Sequence, residues 1–276
     1  MTAQVTRDFD AGATRYDLLV ALNPGYHRHL DAAARSLAEA VPTGGSLLDL
    51  GCGSGASTRA LLRAFGDGVA ITGVDASGGM LAQARAKQWP DTVRFVQARA
   101  GELSALRDAG VRELAAPDGS ATADGPDLAS SEPHGDGAEL TNPGTAGLLE
   151  TEVDGVLAAY LFRNVPATER DAALADTFAT IRPGGALVVL EYSVAGSRRA
   201  ASVWRAVCRT VILPLARLTG GNPDLYRYLE RSVLEFDAMP AFVSRVRRAG
   251  FTDVQSRTVG GWQKGILHVV RARRPA

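Results

Sequence analysis

Residues 46 to 55 read Ser-Leu-Leu-Asp-Leu-Gly-Cys-Gly-Ser-Gly, a short apolar run that enters a turn with glycine at alternate positions. A helix-compatible stretch, Ala56 to Ala64, follows directly. Strand, tight turn and helix in that order open a nucleotide-binding α/β unit. Glycine is required in the turn because the backbone bends sharply and a ligand must come close with no Cβ in the way.

Gly51, Gly53 and Ala56 satisfy the loose dinucleotide pattern G-x-G-x-x-G/A, which does not choose a ligand. Asp49, two residues before the first glycine, favours one. Beside the pyrophosphate of NAD its charge is repelled, whereas S-adenosylmethionine has no phosphate and carries an ammonium and a sulfonium. Val69 to Asp75 reads as the next strand and ends in a second acid. Asp75 can accept both ribose hydroxyls, a role shared by NAD and S-adenosylmethionine sites. Structural readings stand beside both: a turn residue for Asp49, and a helix cap for Asp75 ahead of the segment that starts at Ser77.

The alternation then continues. The segment Gly79 to Gln88 reads as a helix, with Met80 either beneath an adenine face or in the core, and Val93 to Gln97 reads as a third strand. Val153 to Ala159 and Ala186 to Tyr192 read as two more strands around a helix over Glu169 to Thr180. Phe251 to Val259 and Ile266 to Arg271 close the chain as a hairpin. The expected fold is α/β: a seven-stranded Rossmann-like sheet, mostly parallel with one antiparallel strand, and helices on both faces. Its ligands gather at the strand carboxyl ends, at Asp49, Asp75, Ala100, Ala159 and Glu191.

Three segments stand apart from this pattern. Residues 1 to 45 read as helical, including a helix from about Tyr26 to Ala40, and are expected to close over the ligand as a lid or to pack on the sheet. Residues 105 to 150, rich in Gly, Pro, Ser, Ala and Asp, hold too few large apolar side chains to offset the entropy of ordering, so an acidic, disordered insertion is expected in the 46–276 domain. Ala200 to Leu218 reads as one helix with Trp204, Val207, Cys208, Val211, Ile212, Leu215 and Leu218 on a stripe, interrupted by Pro214. That stripe suits a core, a greasy substrate pocket or the rim of a bilayer.

The totals exclude several classes. Thirty Lys and Arg balance thirty Asp and Glu, so the whole molecule does not attract nucleic acid or an anionic membrane. A basic stripe with interleaved aromatics is missing as well, and no nucleic-acid partner is expected. Cys52 and Cys208 lie far apart without the Cys or His partners of a zinc or redox pair, so reduced thiols in a cytoplasmic protein and no metal are expected. No secretory signal or membrane span is read in the chain.

Together these residues and a further set of motifs carry a family resemblance: Phe9-Asp10 with Tyr16-Asp17-Leu18-Leu19, His27-Arg28, the glycine turn, Phe162-Arg163-Asn164-Val165, Arg182-Pro183-Gly184-Gly185, Leu190-Glu191-Tyr192 and Tyr226-Arg227-Tyr228-Leu229. The chain resembles the class I S-adenosylmethionine-dependent methyltransferases over nearly its whole length. More narrowly it resembles the ubiquinone/menaquinone biosynthesis C-methyltransferases, whose best markers here are Phe-Arg-Asn-Val and Tyr-Arg-Tyr-Leu. The resemblance implies S-adenosylmethionine as cofactor, with Asp49, Gly51, Gly53 and Ser54 at its methionine end, Asp75 at the ribose, Met80, Arg99 and Ala100 at the adenine, and Ala159 beneath the methyl group. Arg99 stands where the family usually has Asn or Asp, and Ala159 where Ser is common.

The same resemblance implies a quinol-like acceptor such as demethylmenaquinol, whose ionised hydroxyl makes a ring carbon nucleophilic. Arg163, Arg227 and Tyr228 would stabilise that ion, and His27 or Glu191 would take the proton. A lipid-tailed acceptor implies peripheral contact with the inner face of the membrane. Three other readings stay open: methylation of another lipophilic acceptor such as a polyketide phenol or sterol, an NAD-dependent oxidoreductase, and a non-catalytic cofactor-binding module.

Overall fold

The computed structural model describes residues 25–42, 45–105, 152–218 and 223–276. The segment ahead of Gly25 and nearly all of the acidic insertion lie outside them. In chain order the elements are α1 (Tyr26–Ala38), β1 (Ser46–Leu50), α2 (Ala56–Phe65), β2 (Ala70–Asp75), α3 (Gly78–Arg85), β3 (Val93–Gln97), β4 (Val153–Ala159), α4 (Arg170–Thr180), β5 (Ile181–Tyr192), α5 (Arg198–Val207), α6 (Leu213–Leu218), α7 (Pro223–Glu235), α8 (Met239–Arg248), β6 (Thr252–Thr258) and β7 (Leu267–Arg273).

The strands form one sheet in the order β3-β2-β1-β4-β5-β7-β6. Neighbours from β3 through β5 pair in parallel, and β7 runs antiparallel to both β5 and β6. The central strands are apolar on both faces, as a doubly covered parallel sheet requires. In β5, Ala186, Val188, Leu190 and Tyr192 pack into one layer with Leu30, Leu37, Leu61 and Trp204. The alternate residues Leu187 and Val189 pack into the other, with Phe162, Leu174, Phe236 and Phe242.

Helix α1 belongs to the first of these layers. Leu30, Ala33, Ala34 and Leu37 have no exposed surface, so this face of α1 packs in the core, and Tyr26 at the helix start lines the ligand cleft.

The stripe over Ala200 to Leu218 is also split. A π turn, Cys208–Ile212, separates α5 from α6 just ahead of Pro214, where proline removes the regular amide donor. The wide turn breaks the helical register between α5 and α6. Trp204 is therefore core, packed against Tyr192 at 5.1 Å with its indole N–H donating to the Glu230 carbonyl, while Val211 faces outward. Trp204 as a bilayer dock is thus corrected by geometry.

Strand β5 starts five residues before the expected Ala186, because Arg182 to Gly185 already lie in the strand. Pairing with β4 shifts register there, and a Cβ on Gly185 would stand 2.6 Å from the Asp154 carbonyl oxygen. Arg182 pairs with Asp154 at 2.8 Å. Pro-Gly-Gly in this chain is a bulge device at the end of the sheet away from the ligand.

Candidate active site

Strand order reverses between β1 and β4, which leaves a crevice at their carboxyl ends. The glycine turn after β1 forms one wall of a cleft there, and residues 159–164 after β4 form the other. Gly51, Gly53 and Gly55 have φ of +78°, +53° and +91°, so the alternate spacing records three left-handed residues in succession. Side chains would also be crowded, since a Cβ on Gly51 would meet Leu161 at 3.0 Å and one on Gly53 would meet the Met80 methyl at 3.1 Å, and those neighbours would have to give way.

Asp75 fixes this turn to the next helix. One of its carboxylate oxygens accepts from the Gly53 amide and the other from the Ser77 amide, both at 2.9 Å. Ser77, not Asp75, is the residue that caps α3, accepting from the Met80 amide at 3.1 Å. Asp75, Ser54 and Met80 all lie on the cleft wall.

Asp49 sits elsewhere than a guard at the entrance. It points into the layer beneath the turn with no exposed surface, and one carboxylate oxygen accepts from the hydroxyls of Ser57 at 2.8 Å and Thr58 at 2.6 Å. The other oxygen is buried with no hydrogen-bond partner. Desolvation dominates over the two hydroxyl donors and raises its pKa from 3.8 to about 7. An orphaned buried carboxylate oxygen favours a nearby cation and opposes a pyrophosphate, so the residues present fit S-adenosylmethionine and do not fit NAD.

The opposite wall is built around a buried ion pair. Arg163 donates to Glu191 at 2.7 Å and to the Tyr160 carbonyl at 2.9 Å, while the Arg163 and Tyr192 amides also donate to Glu191. Arg163 lines the cleft, and Glu191, with no exposed surface, lies behind it. Asn164 also lines the cleft, donating to the Tyr160 carbonyl and accepting from the Tyr228 hydroxyl at 3.2 Å. Tyr228 thus stands behind Asn164, and burial raises the pKa of its phenol.

The remaining candidates are scattered. Ala159 lines the cleft wall. His27 is exposed and lines a separate depression with Arg59, Arg63, Lys87 and Trp89. Arg227 is exposed on α7, and Arg99 is exposed with its amide donating to Glu102; neither they nor Ala100 line the cleft. Of the residues expected to move a proton or clamp an anion, His27 and Arg227 are not among those that line the cleft, and Glu191 lies behind it paired with Arg163. Sequence reasoning missed Tyr26, Tyr160 and Asn164 as wall residues. The signal for the latter two was positional, since Tyr160 directly follows the carboxyl end of β4 at the switch point and Asn164 lies in the loop that continues from it.

Comparison with known proteins bears on this geometry. A general methyltransferase domain model matches residues 47–112, and the model of the ubiE/COQ5 methyltransferase family matches residues 145–269. The demethylmenaquinone methyltransferase of Parafrankia sp. (strain EAN1pec) is 34% identical over 274 residues, covering 99% of this chain and 94% of the relative. The chain belongs to the ubiE/COQ5 methyltransferase family. A second demethylmenaquinone methyltransferase, from Mycolicibacterium paratuberculosis, is 28% identical over 268 residues, covering 97% of this chain and 92% of its own.

Solved structures share the fold. Human N-acetylserotonin methyltransferase in complex with its cofactor superposes with a TM-score of 0.53 at 16% identity, over 93% of this chain and 54% of that one. Phosphoethanolamine N-methyltransferase 2 of Haemonchus contortus gives 0.58 at 15%, over 97% and 57%. This member of the family is an S-adenosylmethionine-dependent methyltransferase, and the oxidoreductase reading falls with the family assignment.

Proposed function

We propose that this enzyme transfers a methyl group to a ring carbon of a reduced quinone of the demethylmenaquinol type. The observation that carries the reading is the wall opposite the glycine turn, where the stacked rings of Tyr26 and Tyr160, 5.2 Å apart, stand beside the Arg163 guanidinium. A flat aromatic acceptor rests against the Tyr26 end of this stack, since the faces of Tyr160 are covered by Tyr26 and Tyr192, and a guanidinium favours the ionised form of its hydroxyl. The full-length relatives named as demethylmenaquinone methyltransferases support the same acceptor class.

When bound, S-adenosylmethionine supplies an electrophilic methyl on a sulfonium. In this reading Gly51, Gly53 and Ser54 would hold its methionine end, with the Asp49 carboxylate acting on its charge from beneath the turn, Asp75 would hold its ribose and Met80 its adenine side. Ala159 leaves room between the two ligands. The residues after β4 then orient the acceptor so that its electron-rich carbon is aligned for displacement, which is where most of the rate enhancement arises.

Among the described residues no helix is long and apolar enough to cross a membrane. A lipid-tailed acceptor is met at the membrane surface, and we infer that the outward face of the π turn makes that contact. The acceptor assignment is tested with purified enzyme, isotopically labelled cofactor and a short-chain demethylmenaquinol under reducing conditions. Mass spectrometry should place the label on a ring carbon. Label on oxygen, or transfer only to phenols or sterols of another class, would sink it.

A further inference from the structure

Tyr160 holds a conformation that side chains rarely adopt, with φ of +60°. Three hydrogen bonds to its backbone keep it there: its amide donates to the Leu190 carbonyl at 2.7 Å, and its own carbonyl accepts from the side chains of Arg163 at 2.9 Å and Asn164 at 3.0 Å. Its ring is held between those of Tyr26 and Tyr192, with both centroid distances 5.2 Å. Strain in a non-glycine residue persists where the surroundings over-determine it, and such residues gather at ligand sites.

The hydroxyl on that ring is the unexplained part. It is buried and has no hydrogen-bond partner. Phenylalanine would fill the same stack without desolvating a polar group, so in the unliganded protein the hydroxyl is a net cost. Burial raises the phenol's pKa well above its usual value, with the neighbouring tyrosines adding to the effect, so the group is a neutral donor at physiological pH and not a base. Tyr160 lies on the cleft wall with Arg163 and Asn164 as its neighbours.

We propose that the Tyr160 hydroxyl donates a hydrogen bond to the ring oxygen of the acceptor, so that Tyr160 is a catalytic residue that selects oxygenated aromatic rings. This rests on the reading of the acceptor as a hydroxylated aromatic. A donor to that oxygen stabilises its anion, lowers the acceptor's pKa in the complex and so raises the fraction present as the nucleophilic anion.

The test is Tyr160→Phe, assayed with a short-chain demethylmenaquinol. The acceptor kcat/KM should fall about tenfold, the scale of one hydrogen bond left unmade. The ascending limb of its pH profile should move to higher pH, because the bound hydroxyl ionises less readily. Cofactor affinity should stay constant and the melting temperature should hold or rise. Kinetics and pH profile equal to the parent's overturn the inference. A much lower melting temperature also overturns it, since a hydroxyl without a partner cannot stabilise the unliganded fold. If the parent enzyme itself leaves demethylmenaquinol unmethylated, the proposed acceptor falls instead. Tyr160 is then judged by calorimetry of 1-naphthol against naphthalene on enzyme loaded with S-adenosylhomocysteine. A preference for naphthol that Tyr160→Phe abolishes supports the donor, and no preference overturns it.

Discussion

Asp49 is a side chain whose burial weighs against the fold whenever it is ionised. Holding a carboxyl that ionises at 3.8 when exposed in a site where it ionises at about 7 costs the folded, ionised form on the order of 4 kcal/mol. Proton counts give the sign. Between about pH 4 and pH 7 the folded chain holds a proton at Asp49 that the unfolded chain has released, so stability contributed by this group is present at low pH and lost as pH rises through 7. Asp49→Asn keeps an oxygen for Ser57 and Thr58 and removes the charge. Urea unfolding of the unliganded variant should show a gain in stability over the parent that is about 2 to 3 kcal/mol larger at pH 8 than at pH 5, because the cost accumulates between the two pKa values and is complete above about 7. Equal effects at both values would mean that the carboxylate is not desolvated as its burial indicates.

At the scale of elements, the loop after β4 and the helix after β5 form one system. Arg163 ties the loop to Glu191 of β5 at 2.7 Å, Tyr192 of β5 stacks on Tyr160, and Trp204 of α5 packs against Tyr192. The buried half of α5 is thereby committed to the core. The apolar side chain this region leaves to solvent is Val211 in the turn beyond it, 53% exposed, with Arg205 and Arg209 exposed nearby in sequence. An apolar side chain flanked by arginines suits an anionic lipid surface. Flotation with liposomes containing anionic lipid should recover less Val211→Asp than parent enzyme, with normal methylation of a detergent-dispersed acceptor. Equal recovery would leave the turn without a membrane role. The sequence could not show this face correctly, because a helical wheel drawn through Ala200 to Leu218 assumes one pitch, and the π turn before Pro214 breaks it. The strand pattern was legible for the opposite reason: β1, β4 and β5 are apolar on both faces, and a parallel sheet covered by helices is the one layer arrangement that such runs satisfy. The glycine turn was legible because each alternate glycine meets a backbone requirement. Tyr160 was not, since its importance lies in a left-handed φ and an unpaired hydroxyl that a letter code does not carry.

For the whole molecule, the cleft joins two halves of the sheet that are far apart in sequence. Gly51 to Ser54 and Asp75 come from one half, Ala159 to Asn164 from the other, and β1 pairing with β4 is the seam. A ligand seated across that seam stabilises the native state as a unit, by an amount set by its concentration relative to its dissociation constant. At about a hundredfold excess this is roughly 2.7 kcal/mol, or a rise of roughly 5 to 10 °C in melting temperature for a chain of this size. The cofactor's positive charges and the ionisation of Asp49 favour each other, so the rise should grow with pH across the range in which that carboxyl loses its proton. Thermal unfolding with S-adenosylmethionine, S-adenosylhomocysteine and NAD at pH 5.5 and pH 8 separates these contributions. Both adenosyl ligands should raise the midpoint more at pH 8, the sulfonium should add little to a dependence set by the shared amino group, and NAD should leave the midpoint unchanged. A shift with NAD equal to that with S-adenosylmethionine would place phosphate beside a buried carboxylate, and the electrostatic account of the glycine turn would have to be abandoned.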